Sequence, residues 1–168
     1  MRTIRIVIIE DDEVIRESFV FLIEKNSAHK FIAGFSNCEQ ALKSGVLIEA
    51  DVILLDIGLP GINGVEAISL LKRAAPQSHI LMLTISENEE LVFRALKNGA
   101  SGYLVKNTPV KKIVGALEDV MAGGGPMSDS IARMVISSFQ RAPITPLSKR
   151  ETEILEKIAL GKSRRQIA

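Results

Sequence analysis

Val52-Ile53-Leu54-Leu55-Asp56-Ile57-Gly58-Leu59-Pro60-Gly61 is the stretch whose reading decides the fold. Four consecutive apolar residues without polar alternation read as a buried strand, and the Gly/Pro turn ends it at once. Three other runs have the same form. Ile6-Val7-Ile8-Ile9 ends in Glu10-Asp11-Asp12-Glu13, Ile80-Leu81-Met82-Leu83 ends in Thr84, and Tyr103-Leu104-Val105 ends in Lys106. In open α/β sheets, chemistry lies beyond the carboxyl ends of the strands. Carboxylates, a hydroxyl and an ammonium at successive strand ends point to a metal-assisted phosphoryl site.

Amphipathic stretches separate the apolar runs. Strands are expected at Arg5 to Ile9, His29 to Phe35, Asp51 to Leu55, His79 to Leu83 and Gly102 to Val105. Helices are expected at Val14 to Lys25, Cys38 to Leu47, Val65 to Ala74, Glu87 to Asn98 and Pro109 to Met121. The first helix is read with Val14, Phe19, Leu22 and Ile23 on or near one face, and Ser36-Asn37 is read as a cap for the second. Five βα units in about 120 residues are the pattern of an α/β fold with a doubly wound, five-stranded parallel sheet, flavodoxin-like in class. Right-handed crossovers put helices on both faces.

After Gly123-Gly124-Gly125-Pro126, Ser128 can cap a further helix reaching about Phe139, and Pro143 and Pro146 resist helix beyond it. The expected organisation is a domain over 1–123, a linker with one helix over 124–146 and an incomplete helical segment over 147–168.

The chain has 168 residues, 46% hydrophobic and 24% charged, as expected of a well-cored globular domain with a small appendage. Its net charge of +1 is unevenly spread. Residues 141–168 hold seven Lys/Arg against three Asp/Glu, a net +4, which leaves −3 for the rest. A basic tail on a mildly acidic body permits nucleic acid as a tail partner. The single cysteine, Cys38, cannot form an internal disulfide, and it reads as a small packed residue rather than a reactive thiol. No apolar stretch approaches the ~20 residues that span a bilayer, and the N-terminal run is too short for a signal peptide, so a cytoplasmic protein is expected.

Mg²⁺ prefers oxygen ligands and typically takes one or two carboxylates. Glu10, Asp11 and Asp56 can supply them from adjacent strand ends. Asp56 can then attack a phosphoryl group as nucleophile and become an acyl phosphate. Phosphoryl transfer asks the protein chiefly for positioning and charge stabilisation, for which Lys106 and Thr84 are suited. Each feature alone has an ordinary meaning, such as acids favoured at a helix start or a lysine at the surface. Their joint placement at the ends of separate strands favours chemistry.

Glu10-Asp11, Asp56, Thr84 and Tyr103…Lys106 match, in order and context, the motif residues of bacterial two-component response regulators, and residues 1–123 resemble the receiver domain of that family. The resemblance implies that Asp56 accepts phosphate from the phosphohistidine of a sensor histidine kinase. It implies Mg²⁺ held by Asp11, Asp56 and the backbone carbonyl of Gly58, with Glu10 assisting through water. It also implies a switch pair, Thr84 and Tyr103, in which Thr84 moves to meet a phosphoryl oxygen and Tyr103 turns inward behind it. No external substrate is turned over on this reading; the reactions are Mg-dependent self-phosphorylation and dephosphorylation. The family often carries a basic residue five positions after the principal metal ligand. Arg16 meets that for Asp11, while Asp11-Asp12 is the alternative acidic pair. Lys106-Asn107 departs from the Lys-Pro of many receivers, and Gly58 and Ile85 stand at positions that border the phosphoryl group and bear on its lifetime.

Leu147-Ser148-Lys149-Arg150-Glu151-Thr152-Glu153-Ile154-Leu155, with Ser148 and Glu151 spaced as a capping box, and Ala159-Leu160-Gly161-Lys162-Ser163-Arg164-Arg165-Gln166-Ile167-Ala168 resemble the opening of a LuxR-type helix-turn-helix. That output belongs to the NarL/FixJ group and implies DNA as a partner of a complete C-terminal domain. Base reading falls to the second, recognition helix, which in the family lies beyond Ala168. Lys149, Lys162, Arg164 and Arg165 can contact phosphates, but such contacts position without specifying. The 168-residue chain is thus expected to be shortened and not to bind a defined promoter tightly. The resemblance also allows homodimerisation on phosphorylation.

Three other functions compete. A haloacid-dehalogenase-type phosphatase needs a second Asp two residues after the first, where Gly58 stands. A flavodoxin-like cofactor binder needs a loop of backbone donors after the first strand, and four acids there repel a flavin phosphate. A stand-alone receiver acting through protein–protein contacts remains the open alternative.

Overall fold

The computed structural model describes residues 3–141. Strands β1 (Ile4–Ile9), β2 (His29–Phe35), β3 (Val52–Leu55), β4 (His79–Thr84) and β5 (Gly102–Val105) form one parallel sheet in the order β2-β1-β3-β4-β5. Helices α1 (Glu13–Glu24), α2 (Cys38–Lys43), α3 (Gly64–Ala74), α4 (Glu89–Lys97) and α5 (Val110–Met121) connect and follow the strands, and α6 (Asp129–Arg141) comes after them. The doubly wound parallel sheet expected from the apolar runs is the one observed.

Successive strand side chains point to opposite faces. Val7, Ile9, Ile53, Leu55, Ile80 and Met82 enter one core with residues of α2, α3 and α4. Ile6, Ile8, Val52, Leu54, Leu81 and Leu83 enter the other with α1 and α5. Helices on both faces are the reason the runs lack polar alternation. Asp12, Asn37, Asn63 and Asn88 each accept, on the side chain, the amide three residues into the helix they precede.

Three local expectations differ from the structure. The second helix stops at Lys43 because Gly45 takes φ +72, and Val46–Glu49 continues as a 3-10 turn. α4 starts at Glu89 rather than Glu87, since Asn88 is its cap. Val14 is 73% exposed, whereas Phe19 and Ile23, four apart, are buried. Val14 lies off that stripe.

Gly123, with φ +89, turns the chain back after α5, and Pro126–Ser128 then runs along the outer edge of β5. Tyr103 N–H donates to the Pro126 carbonyl at 2.9 Å, Ser128 N–H donates to the Tyr103 carbonyl at 3.1 Å, and Met127 bridges Tyr103 in parallel. The Ser128 hydroxyl accepts Val105 N–H at 2.8 Å and meets the Thr108 hydroxyl at 3.0 Å. A Cβ on Gly102 would collide with the Pro126 carbonyl and Leu81. Just beyond, Ile131 is fully buried in the core that holds Tyr103 and Val105. The β5 edge is thereby covered. The first compact unit accordingly extends through Met1–Val135; of the second, Ile136–Ala168, the described part is the end of α6. The expected proline linker and the basic segment over 147–168 lie outside the described residues.

Truncating Ile131 removes a fully buried side chain from this core, so Ile131→Ala should lower stability by about 2–4 kcal/mol in urea unfolding. A loss below about 0.5 kcal/mol would mean that the start of α6 is not part of the folded unit.

Candidate functional site

The strand order reverses direction between β1 and β3, which makes their carboxyl ends the topological switch point of the sheet. Ile9 and Leu55 are register partners, so the next residues, Glu10 and Asp56, leave the sheet side by side. Asp56 N–H donates to the Ile9 carbonyl at 3.1 Å. Asp11 follows Glu10 at the exposed rim, and one carboxylate oxygen each from Glu10, Asp11 and Asp56 lies within 4.8 Å of the others. Asp12 turns away, its carboxylate accepting Ile15 N–H at 3.0 Å as the α1 cap. The Arg16 guanidinium donates to the Glu10 carbonyl at 2.7 Å and so braces this turn.

Lys106 comes from the other side. Thr84 and Val105 are register partners on β4 and β5, and Lys106 N–H donates to the Thr84 carbonyl at 2.9 Å. β5 is two strand spacings from β3, about 9.5 Å, a gap that the long lysine stem bridges. Lys106 Nζ lies 2.6 Å from Glu10 Oε2 and 3.0 Å from Asp56 Oδ2. All three side chains are largely buried. Burial pushes the Glu10 carboxyl up, and the nearby Asp56 charge adds to this, outweighing the bond to Lys106. For Lys106, burial alone lowers the pKa, but the bonds to Glu10 and Asp56 and their charges raise it overall. Three acids against one ammonium leave a negative cluster of hard oxygen donors, the chemistry a divalent cation such as Mg²⁺ requires.

The turn after Asp56 depends on the glycine that opens α3. A Cβ on Gly64 would collide with the Asp56 carbonyl oxygen, so only glycine lets α3 start this close. Gly58 stands at the exposed mouth, where a Cβ would lie 3.6 Å from Asp56 Oδ2. Ile57 N–H donates to Asp56 Oδ1 at 2.7 Å.

Thr84 is buried, and its hydroxyl accepts Ser86 N–H at 3.3 Å. Tyr103 is already fully inside, its hydroxyl donating to the Ser86 carbonyl at 2.8 Å. The inward position expected only behind a displaced Thr84 is therefore occupied in this structure. The reason is that a buried phenol finds its acceptor there. Ser86 thus joins the two expected switch residues. Neither it nor Gly64 stood out in the sequence, although Asn63-Gly64 before an amphipathic run was a usable sign of a tight helix entry. Ile85 is 82% exposed beside them. Cys38 is buried away from the cluster, and burial, then the charge of Glu39, pushes its thiol up to about 12.

A parallel α/β sheet that gathers three acids and a lysine at its switch point has the design of a receiver-type signalling domain. The response regulator receiver domain model matches residues 6–118, and the chain belongs to that family. It is a receiver of a two-component system whose homologues include transcriptional regulatory proteins and a LuxR-family response regulator. The chain is 29% identical to the transcriptional regulatory protein LnrK of Bacillus subtilis, over 98% of this chain and 81% of that one. It is 30% identical to the oxygen regulatory protein NreC of Staphylococcus aureus, again over 98% and 81%. Among solved structures it resembles a LuxR-family two-component response regulator from Aurantimonas sp. SI85-9A1, with TM-score 0.77 and 27% identity over 83% of this chain and 99% of that one. No helix among the described residues is long and apolar enough to cross a membrane.

Burial raises the Tyr103 phenol from 10.0 to about 12, and the nearby negative charges of Asp56 and Glu87 add to this. The folded state therefore keeps a proton that the unfolded chain loses near pH 10, and the stability this group contributes is complete below pH 10 and falls as pH climbs towards 12. Tyr103 is the single tyrosine and there is no tryptophan, so tyrosinate absorbance reports it alone. The absorbance should stay flat through pH 10 and rise near 12 or on unfolding. A midpoint at 10 in the folded protein would put the ring in water.

Proposed function

We propose that Asp56 is the phosphoacceptor of this receiver and that the chain relays a histidine kinase signal to a transcription-regulating output. The observation that carries the proposal is the grouping of Asp56 with Glu10, Asp11 and the Lys106 ammonium at one strand-end crevice. An oxygen of Asp56 forms a bond to phosphorus as the phosphorus–nitrogen bond of a phosphohistidine breaks. The imidazole leaves with the electron pair and Asp56 becomes an acyl phosphate. Asp11, Asp56 and the Gly58 carbonyl, with Glu10 assisting through water, would hold Mg²⁺, which would supply positive charge to offset repulsion between the acids and the incoming phosphoryl group. Lys106 turns from the Asp56 carboxylate to a phosphoryl oxygen. No external substrate is turned over.

Thr84 then exchanges Ser86 N–H for a phosphoryl oxygen as its hydroxyl's partner. Ser86 carries that movement to the Tyr103 hydroxyl, and the Tyr103 backbone carries it to Pro126 and Ser128 at the head of α6. Phosphorylation selects among arrangements that already exist, by as much as its contacts differ between them. The output is DNA binding through a complete C-terminal domain, in a cytoplasmic regulator that pairs with a second copy when phosphorylated. The transcriptional and regulatory names of its relatives support that output.

Incubation with acetyl phosphate and Mg²⁺, read by intact mass, should add one phosphoryl group to wild type and none to Asp56→Ala. Equal labelling of the variant would sink the assignment. Thr84→Ala should take the label normally while the β5–Ser128 amides show no change in hydrogen exchange on phosphorylation. A wild-type response in that variant would remove Thr84 from the relay.

A further inference from the structure

Glu39 lies outside the acidic cluster, yet it grips the loop that leaves Asp56. It sits in the first turn of α2, where Cys38 and Ala41 already fill the core with apolar side chains. Its Oε1 accepts Ile62 N–H at 2.9 Å, from a residue 23 positions further along the chain. The same carboxylate lies against Gly61, where any Cβ would collide with it. Gly61 also has φ +77, in the left-handed region that favours glycine, so its backbone and its missing side chain both serve this close approach. Oε2 is buried without a hydrogen-bond partner. A carboxylate oxygen buried without a partner is costly, and packing α2 against the sheet does not require it.

Ile57 and Leu59 of the loop are buried in the core, which leaves its apex to hydrogen bonding. Its other hydrogen bonds are local, with Leu59 N–H donating to the Ile57 carbonyl at 2.8 Å and Gly64 N–H to the same carbonyl at 3.0 Å. Among the described residues, the Glu39 bond is the one hydrogen bond that ties residues 57–63 to a different element of the fold. Hydrogen bonds to an ionised acceptor are roughly twice as strong as neutral ones. Between the anchored apex and Asp56 lies Gly58, whose backbone carbonyl is a metal ligand on the phosphoacceptor reading above.

We propose that Glu39 is a positioning residue: by clamping the Gly61–Ile62 apex it holds Gly58 and Asp56 at the spacing a divalent ion needs. Glu39 does not touch the ion or the phosphoryl group. Its effect is on how tightly the crevice takes Mg²⁺, and through that on the ease of phosphorylation. This inference rests on the phosphoacceptor reading above.

The 168-residue chain with Glu39→Ala or Glu39→Gln tests it, using isothermal titration with MgCl₂, acetyl phosphate labelling across a Mg²⁺ series, hydrogen exchange at Ile62 and thermal unfolding. Glu39→Ala should weaken Mg²⁺ binding about fivefold, the worth of one hydrogen bond. Half-saturation of labelling should shift by the same factor, while the rate at saturating Mg²⁺ changes little and Ile62 exchanges faster. Glu39→Gln keeps a carbonyl acceptor for Ile62 and should recover most of the affinity. A folded Glu39→Ala protein with wild-type Mg²⁺ affinity overturns the proposal, because a merely structural role lowers the unfolding temperature alone. So does a folded Glu39→Gln protein in which Ile62 exchanges fast while Mg²⁺ affinity is unchanged, which decides the matter even if Glu39→Ala does not fold. Failure of wild type to bind Mg²⁺ or to take label on Asp56 would instead overturn the phosphoacceptor reading itself.

Discussion

The Lys106 ammonium, wedged between Glu10 Oε2 and Asp56 Oδ2, is the interaction on which the rest of the structure depends. Two carboxylates leaving adjacent strands repel one another, and the hydrophobic sheet beneath them excludes the water that would screen them. Removing one partner from such a buried set leaves an uncompensated charge, which is strongly destabilising. The cation therefore lets the fold keep a negative crevice at the top of an apolar sheet. It holds three strand ends in one electrostatic unit, since β1, β3 and β5 each contribute one member.

Lys106 can occupy that position only because β5 is itself secured. β5 is the last strand, and without a neighbour its outer edge would expose a row of unpaired backbone groups. Pro126–Ser128 takes that edge, and Ile131 seals it from below. The strand that carries the charged lysine is consequently the strand that holds the start of α6. Chemistry at the crevice and the geometry of the linker share one backbone, with Ser86 as a second bridge through Thr84 and Tyr103. Contiguous hydrogen bonds of this kind would give the proposed coupling a physical carrier rather than mere proximity.

Several features were legible residue by residue. Unbroken apolar runs marked strands covered on both sides, and Asn37 announced a cap before its helix. Asp56 drew attention because a carboxylate closed a buried run and a Gly/Pro turn followed. Other features had no local signature. Val14 has the hydrophobicity of a core residue, and only the rotation of α1 against the sheet leaves it in solvent. The helix ending at Lys43 hinges on the sign of one glycine dihedral. Ser128 looked like a helix cap in a linker, yet its hydroxyl pairs with Val105 and Thr108, about 20 residues earlier. Ser86 and Glu39 are ordinary polar residues until the chain brings their partners to them.

By itself, the sequence determined the number and order of the strands, the parallel class of the sheet, and which residue types cap each strand. Those properties follow from hydrophobic period and turn chemistry, which act over a few neighbouring residues. Tertiary structure alone decided which acid joins the crevice and which caps a helix, where the Lys106 ammonium comes to rest, that Tyr103 lies inside, and that the linker completes the sheet edge. Each of these is a choice among partners far apart in the chain, made by register, burial and the need to satisfy buried polar groups, and a linear pattern holds no record of those distances.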